Sequence, residues 1–182
     1  MPATVKRRAG SIPCPVEVAV KFCQQCGEAM ELRPVEGRQV PHCPACGFIA
    51  WSNPLVATMV IVETPGGIVL GRRAIEPGYG LWCLPGGFVN EDEAPAEAAV
   101  RECDEEILAR VEISALVDVY HIVRADGRGM VGIAYRATLA AGDAPRPGSE
   151  MLEVGLFSPE NLPELAFASH DRAIRDWLKA TA

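Results

Sequence analysis

Between Glu91 and Glu106 the chain carries eight acidic residues and a single cation, Arg101, a third of the 24 Asp and Glu residues in a 182-residue sequence. Like charges at helical spacing repel, by a few tenths of a kcal/mol for each i,i+3 or i,i+4 pair. At about 100° per residue, Glu102, Glu105 and Glu106 share one arc of a helix. Ala96, Ala99, Val100, Cys103 and Ile107 share another, which can pack on a sheet. Arg101 can ease one repulsive pair, through Glu97 or Glu105. A run of this kind is more often a solvated face. Just upstream, however, Gly86-Gly87 closes an extended segment and leaves backbone groups open to a ligand. Three carboxylates beside an open carbonyl form a hard-oxygen donor set suited to Mg²⁺ or Mn²⁺, and an ion there relieves the repulsion.

Sulfur supplies a second constellation. Cys23-Gln-Gln-Cys26-Gly27 and Cys43-Pro-Ala-Cys46-Gly47 are two CxxC knuckles separated by 16 residues. They read as one tetrahedral Zn²⁺ site made by Cys23, Cys26, Cys43 and Cys46, with a glycine after each pair to permit the turn. Two disulfides or redox pairs are the competing reading. His42 is an alternative ligand or a bystander, and Cys14, Cys83 and Cys103 have no partner at such spacing. A module of this size folds because metal replaces a core, so it does not by itself define an activity.

The elements that must position these residues follow Asn53-Pro54, a chain breaker that marks a junction. LVATMVIVE reads as a buried strand, TPGG as a turn and IVLGRRA as the returning strand of a hairpin. LWCLPGGFV is a third extended piece. Past the acidic stretch, VEISALVDVYHIV, GMVGIAYRATLA and EVGLFSP read as further strands. Ser158-Pro159 looks like a helix start, and HDRAIRDWLKA predicts a last helix with Ala173, Ile174, Trp177 and Leu178 on one apolar face. The pattern predicts an α/β fold, a mixed sheet with helices packed on it.

Composition limits the partners. With 17 basic against 24 acidic residues the formal charge is −7, which disfavours general nucleic-acid binding. No apolar run approaches the roughly 20 residues of a membrane span. The basic N-terminus is broken by Pro13 and Pro15 and lacks an apolar signal core, so a cytoplasmic location and a loosely ordered segment over 1–21 are expected.

The acidic stretch resembles the signature box of the Nudix hydrolases: Gly87, Glu93 six positions on, then Arg101-Glu102-Cys103-Asp104-Glu105-Glu106-Ile107-Leu108-Ala109. One position departs, because Leu108 stands where the family has a helix-ending glycine. The turn then either keeps a left-handed residue at a cost of about 1 kcal/mol, or the helix runs on. With the two knuckles and SNP ahead of it, the chain is similar to a zinc-ribbon subgroup that splits FAD, ADP-ribose or NADH. LAFASHDRAI looks like the FAD and ADP-ribose type.

The resemblance implies a Nudix α/β/α sandwich with a mixed sheet over 53–182, preceded by a small zinc ribbon over 22–52. It implies metal-dependent hydrolysis of the pyrophosphate bond in a small nucleotide or dinucleotide. Glu102, Glu105, Glu106 and the Gly86 carbonyl would hold Mg²⁺ or Mn²⁺, with Arg101 and Glu93 supporting the helix and loop. Glu105, Glu150 or Glu153 would serve as general base. Arg72 or Arg73 would reach the phosphates, and Tyr79, Trp82, Phe88 or Tyr120 would face a base or flavin ring. His121 and His170 have no evident role. A homodimer is expected, with Phe48, Ile49 and Trp51 either forming an exposed strip on the ribbon or packing on the larger domain. The alternatives are another Nudix substrate, such as an NAD-type dinucleotide or a modified nucleotide, a non-catalytic nucleotide sensor, which decayed box glutamates would favour but the intact ones here do not, and a nucleic-acid-binding ribbon.

Overall fold

The computed structural model describes residues 20–181. Nearly all of the expected 1–21 leader, and Cys14 with it, lies outside the described residues. The described residues divide into two compact units, 20–53 with Asp126–Arg128, and Pro54–Ala125 with 129–181.

The smaller unit is built on a hairpin of β1 (Glu31–Val35) and β2 (Arg38–His42). Its two-residue turn has Glu36 at φ 50° and Gly37 at φ 79°, the double left-handed turn whose twist matches that of the strands. Buried Cys23, Met30 and Cys43 form its centre, with Val20, Phe48 and Ala50 packed around them. Phe48 is thus part of the unit's own core rather than of an exposed strip, while Trp51 is exposed.

In the larger unit β3 (Leu55–Thr64) is central. Its alternation points Val60 and Val62 to one face and Met59 and Ile61 to the other. Helix α1 (Pro95–Ile107) covers the first face through Ala99, Cys103 and Ile107. Helix α2 (Ala168–Thr181) covers the second through Ala173, Ile174 and Trp177. The remaining strands are β4 (Gly67–Arg73), β5 (Trp82–Cys83), β6 (Val111–Val123), β7 (Gly129–Leu139) and β8 (Met151–Phe157). The sheet order is β5-β4-β3-β7-β6, with β8 also on β4. β3 and β7 run parallel and the other strand pairs antiparallel, so the sheet is mixed.

The expected β3–β4 hairpin forms but is short, and the expected helix start at Ser158-Pro159 is corrected. The β3–β4 hairpin opens after the pairs Glu63↔Ile68 and Thr64↔Gly67. β4 turns to β8, and the freed edge of β3, buried and in need of partners, is taken by 85–89. At Ser158-Pro159 there is only a turn, closed by the Asn161 N–H on the Ser158 carbonyl at 3.0 Å. Pro163 lacks the N–H that a continuing helix needs there.

Candidate active site

The glycine loop is fixed by the edge of β3. Thr58 N–H donates to the Gly87 carbonyl and Val60 N–H to that of Pro85, both at 2.8 Å, and Val89 N–H donates to the Val56 carbonyl at 3.0 Å. The Gly86 carbonyl, between the two acceptors, is off this ladder. Any Cβ at Gly86, where φ is 145°, would collide with the Thr58 carbonyl. At Gly87 a Cβ would lie 2.5 Å from Glu102 Cδ, so the missing side chain is the space the carboxylate fills.

Helix α1 delivers the acids to this loop. It starts with Pro95, and Glu97 accepts the Ala94 N–H at 2.8 Å, which satisfies one exposed donor of the first turn. Glu97 is therefore committed to the cap and does not pair with Arg101. Glu106 is only 5% exposed and accepts the Gly86 N–H at 2.9 Å. Burial, reinforced by the neighbouring charges of Glu102 and Glu150 and opposed by that N–H, pushes its carboxyl up to about 8. Burial also raises Glu102, against the pull of Arg101.

Arg101 ties four partners together. It grips Glu93 with two hydrogen bonds, at 2.7 and 3.0 Å, and donates to Glu102 at 2.9 Å, Glu105 at 3.1 Å and the Phe88 carbonyl at 3.1 Å. The Arg101 guanidinium, with the Asn90 N–H, holds Glu93 down at about 2. The pair links the start of the acidic stretch, the glycine loop and the helix.

A loop then closes over the end of α1. Arg146 and Gly148 N–H groups donate to the Ile107 and Glu106 carbonyls at 2.8 and 2.9 Å, and a Cβ at Gly148 would collide with the Glu105 carbonyl. This docking carries Glu150 to the carboxylates, where its charge adds to the shifts of Glu102 and Glu106. Glu153 lies on β8 instead and faces Arg72 at 3.6 Å. Arg72 also donates to the Gly80 carbonyl at 3.0 Å.

The aromatic residues separate. Tyr79 and Phe88 are exposed, and the backbone of Phe88 meets Arg101. Trp82 packs with the core under α2, edge-on to Phe157 with ring centroids 4.6 Å apart, so it is not brought to the carboxylates. Tyr120 is buried in the same core and donates to Asp176 at 3.2 Å, which removes it as a stacking surface. Two residues differ from expectation: Arg73, a candidate for the phosphates, and His170, given no role. Arg73 turns inward, donating to the Pro77 carbonyl at 2.7 Å and lying over the Phe167 ring. Its neighbour Arg72 is exposed, and strand alternation was a signal for that split. His170 accepts the Leu84 N–H, for which the sequence held no signal.

The donor set fits a hard cation: burial and neighbouring carboxylate charges raise the proton affinity of Glu102 and Glu106, at a loop whose glycine makes room for Glu102. In the smaller unit the four Sγ atoms of Cys23, Cys26, Cys43 and Cys46 lie within 4.8 Å of one another. Three of the pairs are 3.5–3.6 Å apart. A tetrahedron with Zn–S bonds of about 2.3 Å has edges of roughly 3.8 Å, so the cluster is compatible with zinc. The knuckles are matched: Gly27 and Gly47, both at φ 78°, donate back to Cys23 and Cys43 at 2.9 and 3.0 Å.

Compared with known proteins, residues 53–178 match the NUDIX domain. The chain belongs to the Nudix family. A crystal structure of a NUDIX hydrolase from Nitrosomonas europaea superposes with a TM-score of 0.77 and 36% identity, covering 88% of this chain and 91% of that one. An ADP-ribose pyrophosphatase of Methanocaldococcus jannaschii is 34% identical over 128 residues, 70% of this chain and 75% of that protein. A NAD-capped RNA hydrolase NudC of Deinococcus radiodurans is 29% identical over 169 residues, 87% of this chain but 56% of that protein. The Nudix fold expected from the signature box is thus established, and the chain is a Nudix hydrolase. Among the described residues no helix is long and apolar enough to cross a membrane.

Proposed function

We propose that this Nudix hydrolase cleaves the pyrophosphate bond of a nucleoside-diphosphate-linked compound of the ADP-ribose or FAD type and releases AMP. The observation that carries the reading is the buried Glu106 and half-buried Glu102 seated against Gly86-Gly87, with Glu106 on the Gly86 N–H at 2.9 Å. Glu102, Glu105, Glu106 and the Gly86 carbonyl would hold Mg²⁺ or Mn²⁺, which would supply positive charge to favour ionisation of the attacking water and to offset the phosphates. The chain's own groups do the rest. Arg101 and Glu93 keep the helix and loop in register. Glu150, set beside the carboxylates by the 146–150 loop, is the favoured proton acceptor. Glu105 is already engaged by Arg101 and Glu153 faces Arg72. Water adds to one phosphorus, the bridging P–O bond breaks, and its electron pair leaves with the other phosphate.

The M. jannaschii relative's name supports ADP-ribose as the substrate, with AMP and ribose 5-phosphate as products. FAD would give AMP and FMN. The NudC likeness favours a second reading, an NAD-type substrate, whose presentation on an RNA end would bring in the nucleic-acid partner that composition disfavours. A panel of ADP-ribose, FAD, NADH, CoA, NTPs and NAD-capped RNA with Mg²⁺ or Mn²⁺, products read by mass, decides among them. AMP from ADP-ribose or FAD at the highest kcat/KM is the expected result. Release of nicotinamide mononucleotide at a higher kcat/KM would move the assignment to NAD.

In the same reading Cys23, Cys26, Cys43 and Cys46 hold a structural Zn²⁺, residues 22–52 are the zinc ribbon and 53–182 the catalytic domain. The enzyme works as a homodimer in the cytoplasm.

A further inference from the structure

The strand that ends in the glycine loop is held from both sides, and one of its outer contacts is a side chain. On the inner side β4 pairs with Trp82–Cys83, and β3 takes over beyond them, Val60 N–H at the Pro85 carbonyl and Thr58 N–H at that of Gly87. The outer side is the segment ahead of α2: Trp82 N–H donates to the Glu164 carbonyl at 3.1 Å, and Ala166 N–H donates to the Trp82 carbonyl at 2.8 Å. At Ala168 the chain turns into α2, and its backbone no longer runs beside the strand. The next donor, Leu84 N–H, is taken by His170 Nδ1 at 3.0 Å. Leu84 is fully buried, so without this acceptor its amide would be left unpaired.

To accept at Nδ1 the imidazole must be neutral and carry its proton on Nε2. Its surroundings keep it so, since burial and the nearby Arg73 guanidinium hold it down at about 3. Phe167 packs on it with ring centroids 5.0 Å apart, and Arg73 lies 5.0 Å over the other ring. The imidazole is therefore fenced in one orientation.

We propose that His170 is a positioning residue for the catalytic loop. By holding Leu84 it fixes, two residues on, the Gly86 peptide whose N–H meets Glu106 and whose carbonyl is a proposed metal donor. The inference rests on the metal shell of the preceding section. A displacement of about 1 Å at such a loop lowers turnover by as much as a hundredfold.

The test compares wild type with His170→Asn, whose Oδ1 stands near the place of Nδ1, and with His170→Phe and His170→Leu, which fill space but accept nothing. Three quantities are read: hydrogen exchange at the Leu84 amide, Mn²⁺ affinity by calorimetry on the protein alone, and kcat against KM. The acceptor-free variants should exchange Leu84 at least about tenfold faster, bind Mn²⁺ more weakly, and lose about tenfold or more in kcat with KM changed by less than about threefold. His170→Asn should recover most of each. Wild-type Leu84 exchange and Mn²⁺ affinity in a folded His170→Phe or His170→Leu protein would overturn the proposal. So would equal damage by Asn, Phe and Leu. If the wild type turns over no substrate in the panel, that failure falls on the proposed reaction, and the exchange and Mn²⁺ measurements still decide the role of His170.

Discussion

Arg101 gathers carboxylates that would otherwise repel, and it spends itself mostly on Glu93. The consequence is visible in acid. A carboxyl with its folded pKa depressed to about 2 contributes stability that is present above the ordinary glutamate value and lost as pH falls toward 2. Glu93→Gln should therefore be less stable than wild type near neutrality, with the gap closing as pH falls from about 4.5 toward 2. Urea unfolding of both proteins across that range measures it, and a gap independent of pH would reject the pairing as the source. The shared arc of Glu102, Glu105 and Glu106 was legible from helix geometry, whereas Glu93 precedes the helix and its link to Arg101 was implied only by the resemblance to the Nudix box. The fates of Glu97, Trp82 and Tyr120 were not legible, because the first depended on a cap and the others on which sheet face each aromatic residue meets.

Helix α1 ends where a glycine would be expected, and the chain accepts the cost instead of extending the helix. Leu108 sits at φ 46° and ψ 41°, left-handed, with its side chain exposed. Leu108→Gly removes that strain and loses little burial. The substitution should stabilise the protein by about 0.5–1 kcal/mol, somewhat less than the full left-handed penalty because glycine also loses more chain entropy on folding. A urea midpoint that does not move, or falls, would show that the turn is unstrained. The sequence posed this alternative without deciding it, since the deciding contacts come from 146–148, a loop distant in sequence that caps the last carbonyls. Strand identities were legible from runs of apolar residues. The opening of the β3–β4 hairpin was not, because it depends on 85–89 competing for the same edge.

At the scale of the whole molecule the two units draw stability from different sources. The larger has two cores, one on each face of the sheet. The smaller buries little beyond Cys23, Met30 and Cys43, too small a core to fold without help. Chelation, or Cys23→Ser with Cys43→Ser, should unfold residues near 22–50 while the Nudix unit keeps its cooperative transition. Hydrogen exchange resolved by region checks this, and a carefully reduced preparation without zinc would remove the idea. Deleting residues 1–50 should yield a monomer with raised KM and unchanged Mn²⁺ binding, judged by light scattering and kinetics. A dimer with wild-type kinetics would leave the ribbon without a part in assembly.

The central claim is that the carboxylates seated on the glycine loop perform the hydrolysis. Its most direct test is turnover of ADP-ribose at saturating Mg²⁺ by Glu102→Gln and Glu106→Gln, each first shown by circular dichroism to be folded. Each should lose at least about a hundredfold in kcat, as removal of a group that acts in the transition state does. Near-wild-type kcat in both folded variants would contradict it.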